Sequence, residues 1–246
     1  MRNFRIVLQY EGTKYQGWQK QESTDNTIQG KLEKILSKMT GAPVEVHGAG
    51  RTDAGVHAKG QVAHFKLETE LSATEIMSYI NQYLPEDIGV ISIKEAGERF
   101  HARLNATGKI YQYRIWNSDI PSVFDRRYMH IEKRQLDIDK MRKAAQILEG
   151  THDFKAFTST KKGKKSTVRT IWHIEIEKLG NEVRITYKGD GFLYHMVRIL
   201  SGTLMEVGLS ERSVESVEET LSSLERQNAG FLAPAKGLTL MEVLYH

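Results

Sequence analysis

The apolar residues of this chain follow strand-like and helix-like periods in one order, and that order occurs twice. In the first stretch, alternation at period two predicts strands, and apolar residues three and four apart predict helices. The second helix opens with a capping box at Ser72–Glu75 and ends before Pro85. The predicted segments are a strand at Phe4–Tyr10, a helix from Thr27 through Met39, strands at Val44–His47 and Val62–Leu67, a helix through Ile76–Leu84 and a strand at Ile88–Ile93. Their order is β-α-β-β-α-β.

The second stretch repeats this order with one addition. Its segments are a strand at Lys109–Trp116, a helix from Asp137 to Leu148, a hairpin of Ile171–Glu177 and Glu182–Tyr187, a helical stripe at Leu193–Leu204 and a closing strand at Leu238–Leu244. A further helix near Val214–Leu224 is interpreted as an insertion. Two split β-α-β-β-α-β halves predict an α+β fold. We expect the halves to share a mainly antiparallel mixed sheet with helices on one face. The predicted domains are 1–105 and 106–246, with a boundary near residues 103–108.

Composition narrows the function classes. The chain has 246 residues, of which 39% are hydrophobic and 27% charged, as in a globular protein rather than a disordered one. No apolar run approaches the roughly 20 residues that span a bilayer. With 0 Cys there is no disulfide framework or thiolate metal site, and the 9 His are scattered. We therefore expect a cytoplasmic protein without a metal or a membrane span.

The net charge is only +4, but positive residues are clustered in one part of the sequence. Four lysines flank one glycine in the segment Lys161–Lys165. Such a block is either a solvated loop or a loop that tracks phosphates, whose affinity would fall with salt. The sequence leaves both interpretations open.

A glycine-rich segment between two predicted strands, Gly48–Ala58, carries the most unusual combination of residues. Three glycines in eight residues surround Arg51, Asp53 and His57. Glycine permits sharp bends and the close approach of a ligand. The segment lacks the Gly-Lys-Ser/Thr ending of a phosphate-binding P-loop. It is either a surface turn or a functional site.

Gly50–His57 resembles the signature of the TruA family of tRNA pseudouridine synthases. The resemblance continues in order along nearly the whole chain, and the combination is highly specific. The other matching segments are Tyr10–Gln19, Gly60–Val62, Phe100–Arg103, Tyr111–Tyr113, His195–Arg198 and Lys236–Leu238.

The resemblance implies roles for four residues. Asp53 matches the family's catalytic aspartate, and Tyr111 matches the tyrosine that packs against the target uracil. Arg198 matches the basic partner of the aspartate, and Leu238 matches a hydrophobic residue that lines the pocket. The resemblance also implies a homodimer that acts without cofactor or metal on uridines 38, 39 and 40 of the tRNA anticodon stem-loop.

The chemistry of the reaction agrees with these roles. Pseudouridine formation moves uracil from an N1 to a C5 linkage on ribose C1′, with no net change of atoms or electrons. A carboxylate can attack the sugar, attack the base or remove the C2′ proton. Buried under a nucleotide, Asp53 needs a partner such as Arg198 to stay charged. Arg198 could instead be an exposed helix residue, and Tyr111 a core aromatic like its neighbours.

Several residues are candidates for contacts with RNA. Arg51 could bind phosphate or hold open a displaced base pair, and His57 could contact RNA or serve as a hydrogen-bonded structural residue. The stretch Tyr10–Trp18, with Lys14, has the composition of a mobile loop that clamps a backbone, or of an ordinary hairpin connection. Further hypothetical phosphate contacts are Lys20, Arg99, Arg103 and Lys109.

Two other functions are weaker alternatives. A non-catalytic RNA-binding module could have the same basic loops, but Asp53 would repel phosphate. A nucleoside or glycoside hydrolase would need a second carboxylate roughly 5–9.5 Å away. No acidic neighbour of Asp53 lies in the loop.

Overall fold

The chain divides into two compact units in the computed structural model, which describes residues 1–160 and 166–246. Unit 1 comprises Met1–Thr107 with Leu240–His246, and unit 2 comprises Gly108–Thr239. The described residues form ten strands, most of them paired antiparallel, and five α-helices, which confirms the α+β prediction. The division into domains 1–105 and 106–246 stays a prediction. The lysine-rich segment 161–165 lies outside the described residues.

Unit 1 has the predicted order β-α-β-β-α-β. Its elements are β1 (Arg2–Tyr10), α1 (Ile28–Thr40), β2 (Val46–Gly48), β3 (His57–Leu67), α2 (Ala73–Tyr83) and β4 (Ile88–Ala96). In the sheet, β1 lies between β4 and β3 and pairs antiparallel with both, while β2 pairs antiparallel with β3. The last strand of the chain, β10 (Leu238–Leu244), follows β3 in the strand order, so that its C-terminal residues belong to this unit.

The helices of unit 1 begin where the sequence supplies caps. The side chain of Thr27 accepts a hydrogen bond from the backbone N–H of Gly30 at the start of α1. Ser72 and Glu75 form the predicted capping box at the start of α2. Apolar stripes from both helices are buried, and the inward face of the sheet adds the stacked rings of Phe4 and Phe65, 5.9 Å apart.

Unit 2 contains the second repeat and some short additional elements. They are β5 (Gly108–Asn117), β6 (His130–Glu132), α3 (Ile138–Leu148), β7 (Gly150–Asp153), β8 (Val168–Leu179), β9 (Glu182–Gly189), α4 (Met196–Gly208) and α5 (Ser216–Ser223). The strand order is β5-β9-β8-β7, all antiparallel, and β6 pairs parallel with β5. The short strands β6 and β7 were missed because three or four residues are too few to show a period.

Helix α4 is the central helix of unit 2. Eleven of its thirteen residues are buried, from Met196 to Gly208. A helix that is apolar on nearly every side belongs in a core rather than on a surface. The hydroxyls of Ser201 on α4 and Tyr187 on β9 lie 2.9 Å apart and connect the helix to the sheet. Arg198 lies in the first turn of α4, one turn before Ser201.

Candidate active site

The glycine-rich loop around Asp53 is held in unit 1 by backbone hydrogen bonds. The Thr52 carbonyl accepts from the Trp18 N–H at 3.0 Å, and the Asp53 carbonyl accepts from the Val56 N–H at 3.1 Å. The Gly55 N–H donates to the Tyr15 carbonyl at 3.3 Å. Gly55 has a φ of 78°, a conformation that glycine adopts without strain. The backbone of Asp53 is thus fixed on both sides, while its side chain is only half-buried.

Buried polar side chains on β1 and β3 form hydrogen bonds to the same loop. The Tyr10 hydroxyl lies 2.8 Å from Thr52 Oγ1, and Gln61 Nε2 donates to the Gly50 carbonyl at 3.0 Å. Tyr10 is 4% exposed and Gln61 is 0% exposed, so that both side chains are shielded from water. Burial raises the pKa of Tyr10 to about 12, which keeps its hydroxyl neutral. Gly50–Thr52 is therefore supported from two adjacent strands.

The stretch Tyr10–Trp18 is part of this support. Tyr15 is 4% exposed and Trp18 is 2% exposed. A Cβ atom added at Gly12 would lie 2.0 Å from the Val56 carbonyl oxygen. Of the two interpretations of this stretch, the burial of the Tyr15 and Trp18 rings favours an ordinary connection over a mobile clamp.

Three of the predicted RNA-contacting residues of unit 1, namely Arg51, Lys14 and His57, differ in exposure. Arg51 is exposed, and its Nε donates to Gln19 Oε1 at 3.0 Å. The side chain of Lys14 is 61% exposed and forms a 3.5 Å ion pair with Asp87. His57 is 3% exposed, and its Nδ1 accepts a hydrogen bond from the Gly12 N–H at 3.0 Å. This geometry favours a positioning role for His57 over direct contact with a large ligand.

The other predicted site residues belong to unit 2. Tyr111 on β5 is 7% exposed, and its ring meets the ring of Phe192 edge-on, with centroids 5.3 Å apart and planes at 88°. Edge-to-face contact is a favourable aromatic geometry that fixes ring orientation. Leu238 is 5% exposed at the start of β10. Tyr111 and Leu238 are therefore buried side chains, as pocket-lining residues are.

Arg198 is held by the segment that leads to Leu238. Its Nε donates to the Ala233 carbonyl at 2.7 Å, and its own carbonyl accepts from the Ala233 N–H at 3.3 Å. The Tyr113 hydroxyl donates to the Pro234 carbonyl at 2.9 Å. Burial raises the pKa of Tyr113, although the charge of Arg198 opposes the shift. Sequence reasoning assigned no role to Ala233, whose contribution comes from its backbone.

The loop before α4 has an unusual backbone. His195 has a φ of 65°, which is uncommon for a residue with a side chain. Its ring stacks on Tyr194 at 3.7 Å, and its Nδ1 lies 2.9 Å from Ser159 Oγ. These contacts stabilise a strained conformation immediately before the helix that carries Arg198.

Comparison with known proteins identifies the family. The model of a family described as tRNA pseudouridine synthase matches residues 6–105 and 144–246. The chain belongs to the TruA family of tRNA pseudouridine synthases. It is therefore an isomerase that forms pseudouridine in tRNA.

The relatives of this TruA family member match over nearly their full length. A protein named tRNA pseudouridine synthase A from Bacillus sp. (strain KSM-64) is 49% identical and covers 98% of both chains. One named tRNA pseudouridine synthase A 1 from Clostridium tetani is 45% identical over 100% of both chains. Another, named tRNA pseudouridine synthase A 2, from Bacillus anthracis, is 43% identical over 99% of both.

Two kinds of feature are absent from the residues that the structure of this synthase describes. No helix within 1–160 or 166–246 is long and apolar enough to cross a membrane. In those same ranges, no group of three or more His, Cys, Asp or Glu side chains is arranged to hold a metal ion.

Proposed function

We propose that this synthase converts uridine to pseudouridine at positions 38, 39 and 40 of the tRNA anticodon stem-loop, with Asp53 as the catalytic carboxylate. The observation that carries the proposal is the geometry of the loop. Thr52 and Asp53 are fixed through their carbonyls to Trp18 and Val56, while the Asp53 side chain is only half-buried. A rigid backbone that carries a partly accessible carboxylate suits a group that must meet a reacting atom within about 0.5 Å of its productive position.

The reaction requires only a carboxylate and proton transfer. The bond between uracil N1 and ribose C1′ breaks, the base turns, and a bond forms between C5 and C1′. The proton leaves C5, and N1 gains one. Attack of Asp53 on C1′, attack on C6 of the base and removal of the C2′ proton are three roles consistent with a carboxylate in this place. Because the substrate and product are isomers, no redox cofactor or energy donor is consumed.

Arg198, Tyr111 and Leu238 complete the proposed machinery. Arg198 keeps Asp53 ionised when the nucleotide excludes water, because a buried carboxylate without a cationic partner takes up a proton. Tyr111 stacks against the uracil, and Leu238 lines the pocket. Base stacking on an aromatic ring returns about 1–3 kcal/mol toward the few kcal/mol needed to extrude a base from its stem.

The proposed RNA contacts in unit 1 begin with Arg51. It is exposed beside Asp53, and its guanidinium offers five N–H donors to phosphate oxygens. Lys14 adds an exposed ammonium, and His57 positions the Gly12 turn beneath the loop. We further propose a cytoplasmic homodimer, because a groove lined by two chains offers more surface to a whole tRNA than one chain does.

Substrate mapping tests this function. Three anticodon stem-loops, each with its only uridine at position 38, 39 or 40, are incubated with the enzyme, and pseudouridine is detected by chemical labelling. A fourth stem-loop with its only uridine at position 33 is the control. Conversion at 38, 39 and 40 alone supports the proposal, while conversion at 33 or at none of the three contradicts it. Light scattering of the enzyme with tRNA tests the dimer.

A further inference from the structure

A chain of polar side chains connects exposed Arg51 to Glu33, a buried residue of helix α1. Arg51 Nε donates to Gln19 Oε1 at 3.0 Å, and Gln19 Nε2 donates to Gln29 Oε1 at 2.8 Å. Gln29 Nε2 donates to Glu33 Oε1 at 3.0 Å. Glu33 is 8% exposed, and its second oxygen accepts from Lys20 Nζ at 3.0 Å. The chain therefore runs from a buried carboxylate to an exposed guanidinium.

The chemistry of its two ends gives the chain a direction. A carboxylate can only accept hydrogen bonds, so Gln29 must turn its NH2 group toward Glu33 and its oxygen toward Gln19. Gln19 must then present its NH2 group to Gln29 and its oxygen to Arg51. A guanidinium can only donate, so that Arg51 fits this last acceptor. Reversing either amide would place two donors or two acceptors against each other.

Backbone groups fix the same orientation independently. The Lys20 N–H donates to Gln29 Oε1 at 2.9 Å, and the Val46 carbonyl accepts from Gln29 Nε2 at 3.0 Å. The Val46 N–H donates to Glu33 Oε1 at 3.2 Å. Two backbone bonds, from the Lys20 N–H and to the Val46 carbonyl, therefore hold the Gln29 amide in this orientation. Neither bond involves Arg51.

We propose that Glu33, Gln29 and Gln19 form a relay of positioning residues. The relay holds the Arg51 guanidinium in one direction, in which it can bind phosphate oxygens of the tRNA. The bond to Gln19 uses one of five N–H donors, at Nε, and the terminal nitrogens then serve the RNA. Without the chain, Arg51 would have to be ordered on binding, at the expense of affinity. This inference rests on the RNA contact proposed for Arg51 above.

A double-mutant cycle tests the relay. The proteins are wild type, Q29M, R51A and the double variant. The control is Q21M, because Gln21 is an exposed glutamine whose Nε2 donates to the Gln16 carbonyl at 3.0 Å, outside the chain of side chains. The measurements are the tRNA Kd as a function of salt, and kcat and KM for tRNA. Q29M is expected to raise Kd and KM roughly three- to tenfold, with kcat within about twofold of wild type. R51A is expected to lower the salt slope by about 1, and the double variant to match R51A.

The variant Q19M tests the same proposal if Q29M fails to fold. Gln19 is half-buried and bridges Gln29 and Arg51. The bonds between α1 and Val46 are made by Gln29 and Glu33, so that Q19M leaves them intact. It is expected to reproduce the rise in KM caused by Q29M. If Q29M weakens binding by the same factor with and without Arg51, or if Q19M binds tRNA like wild type, the relay is overturned.

The outcomes also separate the relay from the function on which it rests. If R51A leaves the Kd and the salt slope unchanged, the relay is overturned, whereas the assignment of Asp53 stands. If wild type modifies positions other than 38–40, the proposed function fails, but the binding cycle still decides whether Gln29 acts through Arg51.

Discussion

The guanidinium of Arg198 is tied to the backbone of Ala233 by a hydrogen bond from Nε to the carbonyl oxygen, 2.7 Å long. The return bond runs from the Ala233 N–H to the Arg198 carbonyl. The two bonds join the first turn of α4 to the segment that ends at Leu238. A lysine cannot reproduce the first bond while also presenting a forked set of donors.

Substitution of Arg198 by lysine should therefore impair catalysis although the positive charge is retained. We expect R198K to lower kcat at least tenfold and R198A about a hundredfold, with tRNA binding little changed. Single-turnover rates with saturating enzyme measure this. The matched control is R142K, since exposed Arg142 also donates from Nε to a backbone carbonyl of unit 2, that of Ile176, at 3.1 Å. Equal losses in R198K and R142K would show that Arg198 is merely structural.

Gly12 is required because the Asp53 loop passes directly over it. A Cβ atom at Gly12 would lie 2.0 Å from the Val56 carbonyl oxygen, so G12A must displace the loop. We expect G12A to lower the free energy of unfolding by about 1–3 kcal/mol and to reduce kcat. Gly97, where an added Cβ meets nothing within 4 Å, provides the control G97A. Urea unfolding and activity of both variants check this, and a G12A protein with normal kcat would contradict it.

The order of elements could be predicted from the sequence because apolar period and helix caps are local. Thr27 and the Ser72–Glu75 box begin α1 and α2, as expected. The burial of Tyr15 and Trp18 could not be predicted, because glycines and aromatics close together also suit an exposed loop. Their burial depends on contacts with the Asp53 loop, which follows more than thirty residues later in the chain.

Residues of the candidate site could be predicted only where they lie in a segment that matches the family. Asp53 and Arg198 lie in segments that match the family with a known role, whereas Gln61 lies in a matching segment to which no role was attached. Its signal was a glutamine at a position where the strand alternation required a buried side chain. Ala233 gave no signal at all, since a contact through the backbone leaves no trace in residue type. Gln19 and Gln29 required the three-dimensional path between them.

The Tyr10 hydroxyl should contribute to catalysis through Thr52. We expect Y10F to lose about 0.5–1.5 kcal/mol of stability and also to lower kcat, because Thr52 adjoins Asp53. Tyr187 is the matched control, a buried tyrosine whose hydroxyl meets that of Ser201 at 2.9 Å in unit 2. Thermal unfolding and kcat are measured for Y10F and Y187F. Similar losses of stability with a lower kcat in Y10F alone are predicted, and an unchanged kcat in Y10F would contradict the role.

A cluster of histidines should make stability depend on pH. Burial, with the nearby charges of His101 and His47, lowers the pKa of His64 to about 4. Its Nδ1 accepts a hydrogen bond from the Ala102 N–H at 3.1 Å, which the protonated ring cannot do. The unfolded chain takes up this proton near its ordinary pKa of about 6.5. The contribution to stability is therefore complete above about pH 6.5 and is lost as the pH falls toward 4.

The variant H64N isolates this contribution, because its side-chain oxygen can still accept the bond but does not titrate. Urea unfolding at about pH 7.5, 6.5, 5.5 and 5.0 should show a smaller decline for H64N than for wild type. The lowered pKa values of His101 and His130 act in the same direction in both proteins. Parallel stability curves for the two proteins would contradict the prediction.

The role of Asp53 is tested most directly by tritium release from tRNA labelled at uracil C5, with wild type, D53N and D139N side by side. Asp139 is an exposed aspartate on α3, with 84% of its side chain accessible, and serves as the matched control for the same chemical change. Circular dichroism and tRNA affinity establish that all three proteins are folded and bind. The account predicts release by wild type and D139N at similar rates and none by D53N. Release by folded D53N at the wild-type rate would contradict the assignment of Asp53 as the catalytic carboxylate.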